Sequence, residues 1–201
     1  AVLKGYPMTQ GSKYLKNLKM TFNSNLTNKF LSSGCIICGK TSTPEFGLMI
    51  TTEPKAFKPC MNPWDLSRTT GGSSGGSAAS VASRMVPIAH ASDGGGSIRI
   101  PAASCGTIGF KPTRGRISFS PTDGDKWGGL GHSGLISRTV RDTAFMYDYI
   151  FGKDIGDPYY LPYEKGSLIN SLSLKRRMRI AFITNIKTPA DLSDHAKKAI
   201  L

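Results

Sequence analysis

Two clusters of glycine and serine constrain this chain more than any other feature. Residues 71–77 read Gly-Gly-Ser-Ser-Gly-Gly-Ser, and residues 92–97 read Ser-Asp-Gly-Gly-Gly-Ser. Either cluster alone is typical of a flexible linker. Between them, the Ala-rich and Ser-rich residues 73–85 predict a tightly packed helix, and residues 86–91 predict a buried strand. A rigid helix and strand therefore join the clusters, and we expect two ordered loops.

The three glycines before Ser97 indicate a loop that can bind an oxyanion. Glycine tolerates backbone conformations that other residues resist, so consecutive N–H groups of such a loop can converge on one point. A developing oxyanion needs that arrangement of donors. Ser73 and Ser97 are therefore candidate nucleophilic serines, and the alternative is a pair of turn serines without chemistry.

Helices that alternate with apolar strands predict an α/β fold, with a sheet covered by helices on both faces. Residues 21–34 predict a helix capped by Asn25, and residues 139–151 predict a second helix. Residues 35–38 and 178–183 predict short apolar strands. No repeat or linker divides the chain, so residues 1–201 are interpreted as one domain.

Charge and hydropathy exclude several classes of protein. The 26 Lys and Arg residues give a net charge of +13, but they are dispersed rather than clustered, so we expect no nucleic-acid partner. No run of eighteen apolar residues predicts a membrane span, and the first residues do not form a signal peptide. We therefore expect a cytoplasmic protein without a membrane partner.

The cysteines do not predict a metal site. Cys35 and Cys38 have the spacing of a zinc or redox pair, but no second pair of Cys or His follows them. An apolar strand that buries both thiols fits these residues better. We expect neither a metal nor a cofactor.

Two glycine motifs match nucleotide-binding patterns without the right context. Residues 34–41 fit a phosphate-binding loop, but their middle residues are strand-like and Pro44 interrupts the helix that should follow. Residues 129–134 fit a dinucleotide fingerprint but follow a loop instead of a strand. A nucleotide-binding P-loop protein remains an alternative.

A third motif, which matches a hydrolase pattern, is a more serious alternative function. Residues 71–75 fit the nucleophile elbow of α/β-hydrolases, which would make Ser73 the nucleophile of an esterase. His195 and either Asp142 or Asp157 could complete its triad. The elbow needs a strand directly before the serine, and residues 62–70 are a poor strand.

The paired clusters, with the sequence around them, resemble the amidase signature family. The resemblance covers almost the whole chain, including residues 39–47, 62–64, 98–102, 106–113 and 134–142. It implies the amidase signature fold, a mixed sheet between helices, incomplete here because the chain is truncated at both ends. It also implies a hydrolase of carboxylic amides that uses an acyl-enzyme.

The resemblance assigns roles to individual residues. Ser97 would be the nucleophile, and Ser73, joined to Gly72 by a cis peptide bond, would hydrogen-bond to Ser97 and relay its proton to a lysine. The remaining roles fall on neighbours of these serines. The implied oxyanion hole is Gly94, Gly95, Gly96 and Ser97, and the implied supporting residues are Gly72, Ser74, Asp93 and Arg99.

The family's lysine would precede Ala1, and Lys4 has the wrong spacing to replace it. We therefore expect this chain alone to be inactive, and to form a homo-oligomer or to need a companion fragment. The resemblance favours a small-molecule amide as substrate, in the branch that includes hydrolases of aminohexanoate cyclic dimers. The glutaminase subunit of tRNA-dependent amidotransferases is the alternative within the family.

Overall fold

The computed structural model describes residues 1–173, 179–181 and 193–200. The helices are α1 (Asn25–Ser32), α2 (Gly75–Ala82), α3 (Arg99–Cys105), α4 (Val140–Ile150), α5 (Ser167–Ser171) and α6 (Asp194–Ile200). The strands are β1 (Met61–Asn62), β2 (Asp65–Thr69), β3 (Ile88–Asp93), β4 (Ile108–Phe110) and β5 (His132–Ser137). Short 3₁₀ turns occur at Glu45–Gly47 and Trp127–Gly129.

The central sheet has the strand order β3-β5-β4, and both pairings are antiparallel. Its longest pairing runs from Ile88 opposite Ser137 to Asp93 opposite His132. The end of β3 therefore lies beside the beginning of β5. Strands β1 and β2 form a separate antiparallel hairpin.

Helices pack on both faces of this sheet, as the sequence predicts. Consecutive strand residues point to opposite faces, and in β5 the fully buried Leu135 and Ile136 enter different hydrophobic clusters. Leu135 packs with residues of α1 and α4, and Ile136 packs with residues of α2 and α3. The α/β class with a covered sheet is thus confirmed.

The predicted helix at residues 139–151 is confirmed as α4, whose Thr139 side chain accepts a hydrogen bond from the Asp142 N–H at 3.0 Å. Helix α1 is also present, but the prediction that Asn25 caps it is wrong. Ser24 is the cap, because its hydroxyl accepts a hydrogen bond from the Thr27 N–H at 3.3 Å.

The two predicted short strands are not confirmed. Residues 35–38 form no strand, and the Ile36 side chain is 89% exposed, so the prediction of a buried strand there is wrong. No helix follows residues 34–41 before Pro44, which removes the context that a phosphate-binding loop needs. The strand predicted at residues 178–183 is half described: residues 179–181 form no strand, and residues 178, 182 and 183 lie outside the described residues.

Membrane spans and metal clusters are both absent from the described residues. None of their helices is long and apolar enough to cross a membrane. They also contain no group of three or more His, Cys, Asp or Glu side chains that could hold a metal ion.

Candidate active site

The two glycine-serine clusters meet because each lies directly before a helix of the same face. The first runs from the loop after β2 into the first turn of α2, and the second runs from the end of β3 through the loop before α3. Ser74 joins them: its N–H donates to the Ser97 carbonyl at 3.3 Å, and its hydroxyl accepts from the Ser92 N–H at 3.2 Å. Ser74, predicted as a supporting residue, thus contacts both loops.

The two candidate nucleophiles differ in exposure. Ser73 is only 4% exposed, whereas Ser97 is half-buried just before α3. The peptide bond between Gly72 and Ser73 is cis, as expected. Gly72 has no room for a side chain, because a Cβ there would lie 2.5 Å from the carbonyl oxygen of Thr51.

No hydrogen bond joins the hydroxyls of Ser73 and Ser97, although the resemblance implies one. Their loops are linked instead through the Ser74 N–H and the Ser97 carbonyl. The prediction of a hydrogen bond between the two hydroxyls is therefore wrong for this structure.

Asp93 organises the second loop through four hydrogen bonds to its carboxylate. Oδ1 accepts from the Gly96 N–H at 2.8 Å and from Nη2 of Arg99 at 2.9 Å. Oδ2 accepts from the Ile98 N–H at 3.1 Å and from Nε of Arg99 at 3.0 Å. Burial of Asp93 would raise its pKa, but these donors outweigh burial and hold the pKa below its ordinary value.

The contacts of Asp93 change the predicted oxyanion hole. Gly96 was expected to contribute its N–H, but this group donates to Asp93 and is therefore occupied. The N–H groups of Gly94, Gly95 and Ser97 have no hydrogen-bond acceptor among the described residues. These three donors are the ones that remain available to a ligand oxygen.

Sequence reasoning missed two residues that shape the first loop. Gly47 lies against Ser73, and a Cβ on Gly47 would be 3.4 Å from the Ser73 hydroxyl. Thr52 is fully buried; its hydroxyl donates to the Gly71 carbonyl at 2.9 Å and accepts from the Gly75 N–H at 3.1 Å. Nothing in the sequence around Thr52 indicates this role.

The segment before Ser73 differs from its predicted structure. The expectation that residues 62–70 are a poor strand is wrong, because β2 ends two residues before Gly71. However, every residue of β2 is exposed, and among the described strands β2 pairs only with β1. It is therefore an outlying hairpin and not the central strand of an α/β-hydrolase sheet.

The partners that an esterase triad would need do not reach Ser73 in the described part of the chain. His195 is exposed on α6. The carboxylate of Asp157 accepts from Ser118, and neither it nor Asp142 hydrogen-bonds to Ser73. The structure thus gives no support to Ser73 as the nucleophile of such a triad.

No lysine side chain among the described residues hydrogen-bonds to either serine. Lys4 is exposed, and its backbone N–H donates to the Asn23 side chain at 2.7 Å. This agrees with the interpretation that Lys4 is not the base.

Comparisons with known proteins identify the family of the chain. The model of the family described as Amidase matches residues 1–201. The 6-aminohexanoate-cyclic-dimer hydrolase of Paenarthrobacter ureafaciens is 50% identical over 133 residues, which are 65% of this chain and 27% of that protein. A glutamyl-tRNA(Gln) amidotransferase subunit of Lactiplantibacillus plantarum is 44% identical over 162 residues, which are 78% of this chain and 32% of that protein.

Comparison with solved structures supports the same family. A structure of 6-aminohexanoate cyclic dimer hydrolase complexed with substrate superposes with a TM-score of 0.82 at 39% identity, covering 86% of this chain and 37% of that one. The described part of the chain thus has the fold of the corresponding part of that hydrolase. The chain belongs to the amidase family, and it spans about a third of the length of the relatives it matches.

Proposed function

We propose that the protein hydrolyses carboxylic amides through an acyl-enzyme on Ser97. Ser97 attacks the carbonyl carbon, the oxygen becomes an oxyanion held by backbone N–H groups, and an amine or ammonia leaves. Water then hydrolyses the ester. Ser73 relays the proton of Ser97 to a lysine, and the proton passes from there to the leaving nitrogen as the C–N bond breaks.

One observation carries this proposal. The N–H groups of Gly94, Gly95 and Ser97 have no acceptor in the described part of the chain, and they lie on a loop that Asp93 and Arg99 hold rigid. Preorganised donors stabilise a developing oxyanion because they need no reorganisation during the reaction. Ser97 lies at the end of this loop, so in the proposed reaction its hydroxyl attacks a carbonyl group whose oxygen binds to these donors.

Burial favours the same division of roles between the serines. A nucleophile must reach a substrate, and Ser97 is the more exposed of the two. Ser73 is nearly enclosed, which suits a hydroxyl that accepts one proton and donates another.

The substrate class rests on the relatives. We infer a small amide, cyclic or linear, because one relative carries the name of a cyclic-dimer hydrolase. The alternative is a glutaminase subunit of an amidotransferase, favoured by the similarity to the glutamyl-tRNA(Gln) amidotransferase subunit. A companion subunit or a second copy is part of that alternative.

The test is labelling by a fluorophosphonate, followed by mass mapping of the modified peptide in the full-length protein. Labelling of Ser97 is the expected result, and labelling of Ser73 would favour the esterase alternative. Ser97→Ala should abolish acylation, whereas Ser73→Ala should leave residual activity because water can partly replace the relay. Ser32→Ala, an exposed serine of α1, is the control.

Equal retention of activity in Ser97→Ala and Ser73→Ala would contradict the proposal. Thermal stabilisation by ATP without fluorophosphonate labelling would instead favour a nucleotide-binding protein. Release of ammonia from glutamine, with no turnover of other amides, would select the glutaminase alternative.

A further inference from the structure

The turn that leads into β5 carries an exposed indole ring in an unusual backbone conformation. Trp127, Gly128 and Gly129 have φ angles of 53°, 59° and 82°. A positive φ is uncommon for a bulky residue, and such residues occur preferentially at functional sites. The turn is closed by a hydrogen bond from the Gly131 N–H to the Lys126 carbonyl at 3.0 Å, so Trp127 has a defined position.

The indole ring lies directly on Gly94. A Cβ on Gly94 would be 2.2 Å from Cζ3 and 2.5 Å from Cε3 of Trp127, so no side chain fits at this position. A Cβ on the next residue, Gly95, would meet no atom within 4 Å. The ring therefore covers Gly94, and the space beside the next residue of the loop is open.

The Trp127 ring is exposed and at the same time held in place. Trp127 remains 58% exposed despite its contact with Gly94. A lone exposed aromatic side chain needs no explanation, but this one lies against the Cα of Gly94, whose N–H would bind the substrate carbonyl. Binding sites for small molecules are lined by aromatic surfaces next to a few polar groups.

We propose that Trp127 is a specificity residue that binds an apolar acyl group of the amide substrate. The inference rests on the proposed function, because it takes Ser97 as the nucleophile. A carbonyl oxygen bound at Gly94 and Gly95 places its carbon next to the indole ring. The acyl group stays attached to that carbon through both steps, so contact with Trp127 benefits acylation and deacylation alike.

Trp127 could instead only support the Gly94 loop, and the test must separate the two roles. The measurement is kcat/KM for the 4-nitroanilides of acetic acid and phenylacetic acid in the full-length protein, with Trp127→Ala and Trp127→Phe. Trp64→Ala is the matched control. Trp64 is 73% exposed, and its indole N–H donates to the carbonyl of Cys105 at the other end of α3.

We expect Trp127→Ala to lower kcat/KM for the phenylacetyl substrate by about tenfold relative to the acetyl substrate, since apolar pocket contacts discriminate by that order. Trp127→Phe should restore most of the preference, and Trp64→Ala should leave it unchanged. An equal loss for both substrates would mean that the ring only supports the loop and would overturn the proposal. An unchanged preference would overturn it too.

A binding measurement separates failure of this inference from failure of the proposed function. Calorimetry with phenylboronic acid and methylboronic acid requires no turnover. Trp127→Ala should lower the affinity for phenylboronic acid by about tenfold and leave the affinity for methylboronic acid unchanged. If the protein hydrolyses no anilide but shows this result, Trp127 is still a binding residue and amide hydrolysis is rejected. If wild type and Trp127→Ala bind phenylboronic acid equally well, the role of Trp127 in binding is rejected.

Discussion

Replacement of Asp93 by asparagine should destabilise the protein strongly, although the two side chains have the same shape. Each carboxylate oxygen of Asp93 accepts two hydrogen bonds: Oδ1 from Gly96 and Arg99, and Oδ2 from Ile98 and Arg99. Asparagine offers one oxygen and one NH₂ group. Whichever way the amide is turned, its NH₂ group faces two N–H donors.

The magnitude follows from burial. The Asp93 side chain is fully buried, and removal of one partner of a buried ion pair costs about 3–5 kcal/mol. The Arg99 side chain is 54% exposed and can regain water, so we expect the lower end, a loss of about 3 kcal/mol in the free energy of unfolding. For a chain of this size that corresponds to a fall in Tm of about 6–12 °C.

The assay is urea unfolding followed by circular dichroism, with Asp65→Asn as the control. Asp65 also bonds to an arginine, Arg68, but its side chain is 45% exposed, so its replacement should have a much smaller effect. A loss of less than about 1 kcal/mol for Asp93→Asn, the size of a surface ion pair, would refute the reasoning.

Acid should abolish the difference between wild type and Asp93→Asn. The pKa of Asp93 is lower in the folded state, so its contribution is complete above the unfolded pKa of about 3.9 and is lost as the pH falls through the lower folded pKa. Unfolding curves at falling pH below 4 should therefore converge. A constant gap across this range would show that the charge of Asp93 is not responsible.

Two further predictions concern a close contact and a buried hydrogen bond. Gly94→Ala should lower the Tm because the new Cβ overlaps the Trp127 ring, whereas Gly95→Ala enters open space and should not; equal effects would contradict the contact. Tyr147→Phe should cost about 1–3 kcal/mol in urea unfolding, because the Leu135 N–H donates to the Tyr147 hydroxyl at 3.2 Å and would lose its buried partner. A neutral result would mean that water or another group replaces the hydroxyl.

The parts of the fold that the sequence predicts well are those with a long or well-capped pattern. Helix α4 combines an N-cap threonine with buried residues at helical spacing, and both signals are local. Residues 35–38 show the opposite case: a short apolar run does not distinguish a strand from other structure, and here Ile36 is exposed. The exposed strand β2 was missed because it has no buried face.

The candidate site also has features that the local sequence predicts and contacts that it does not predict. Glycine and serine types at residues 71–77 and 92–97 are visible locally, because they reflect backbone conformations. The contacts between Ser74 and Ser97, and between Thr52 and Gly71, join residues that are 23 and 19 positions apart. Such contacts depend on how distant segments pack together, which no local pattern encodes.

Asp93 and Arg99 show why a buried carboxylate can stand beside a site for an anion. A lone negative charge next to the loop would oppose a developing oxyanion, since charges a few ångströms apart interact strongly away from water. The guanidinium of Arg99 meets both carboxylate oxygens and cancels that charge, while the carboxylate orients the Gly96 and Ile98 N–H groups. The pair thus fixes the loop without adding net charge to it, and in the proposed mechanism the N–H dipoles of Gly94, Gly95 and Ser97 stabilise the oxyanion.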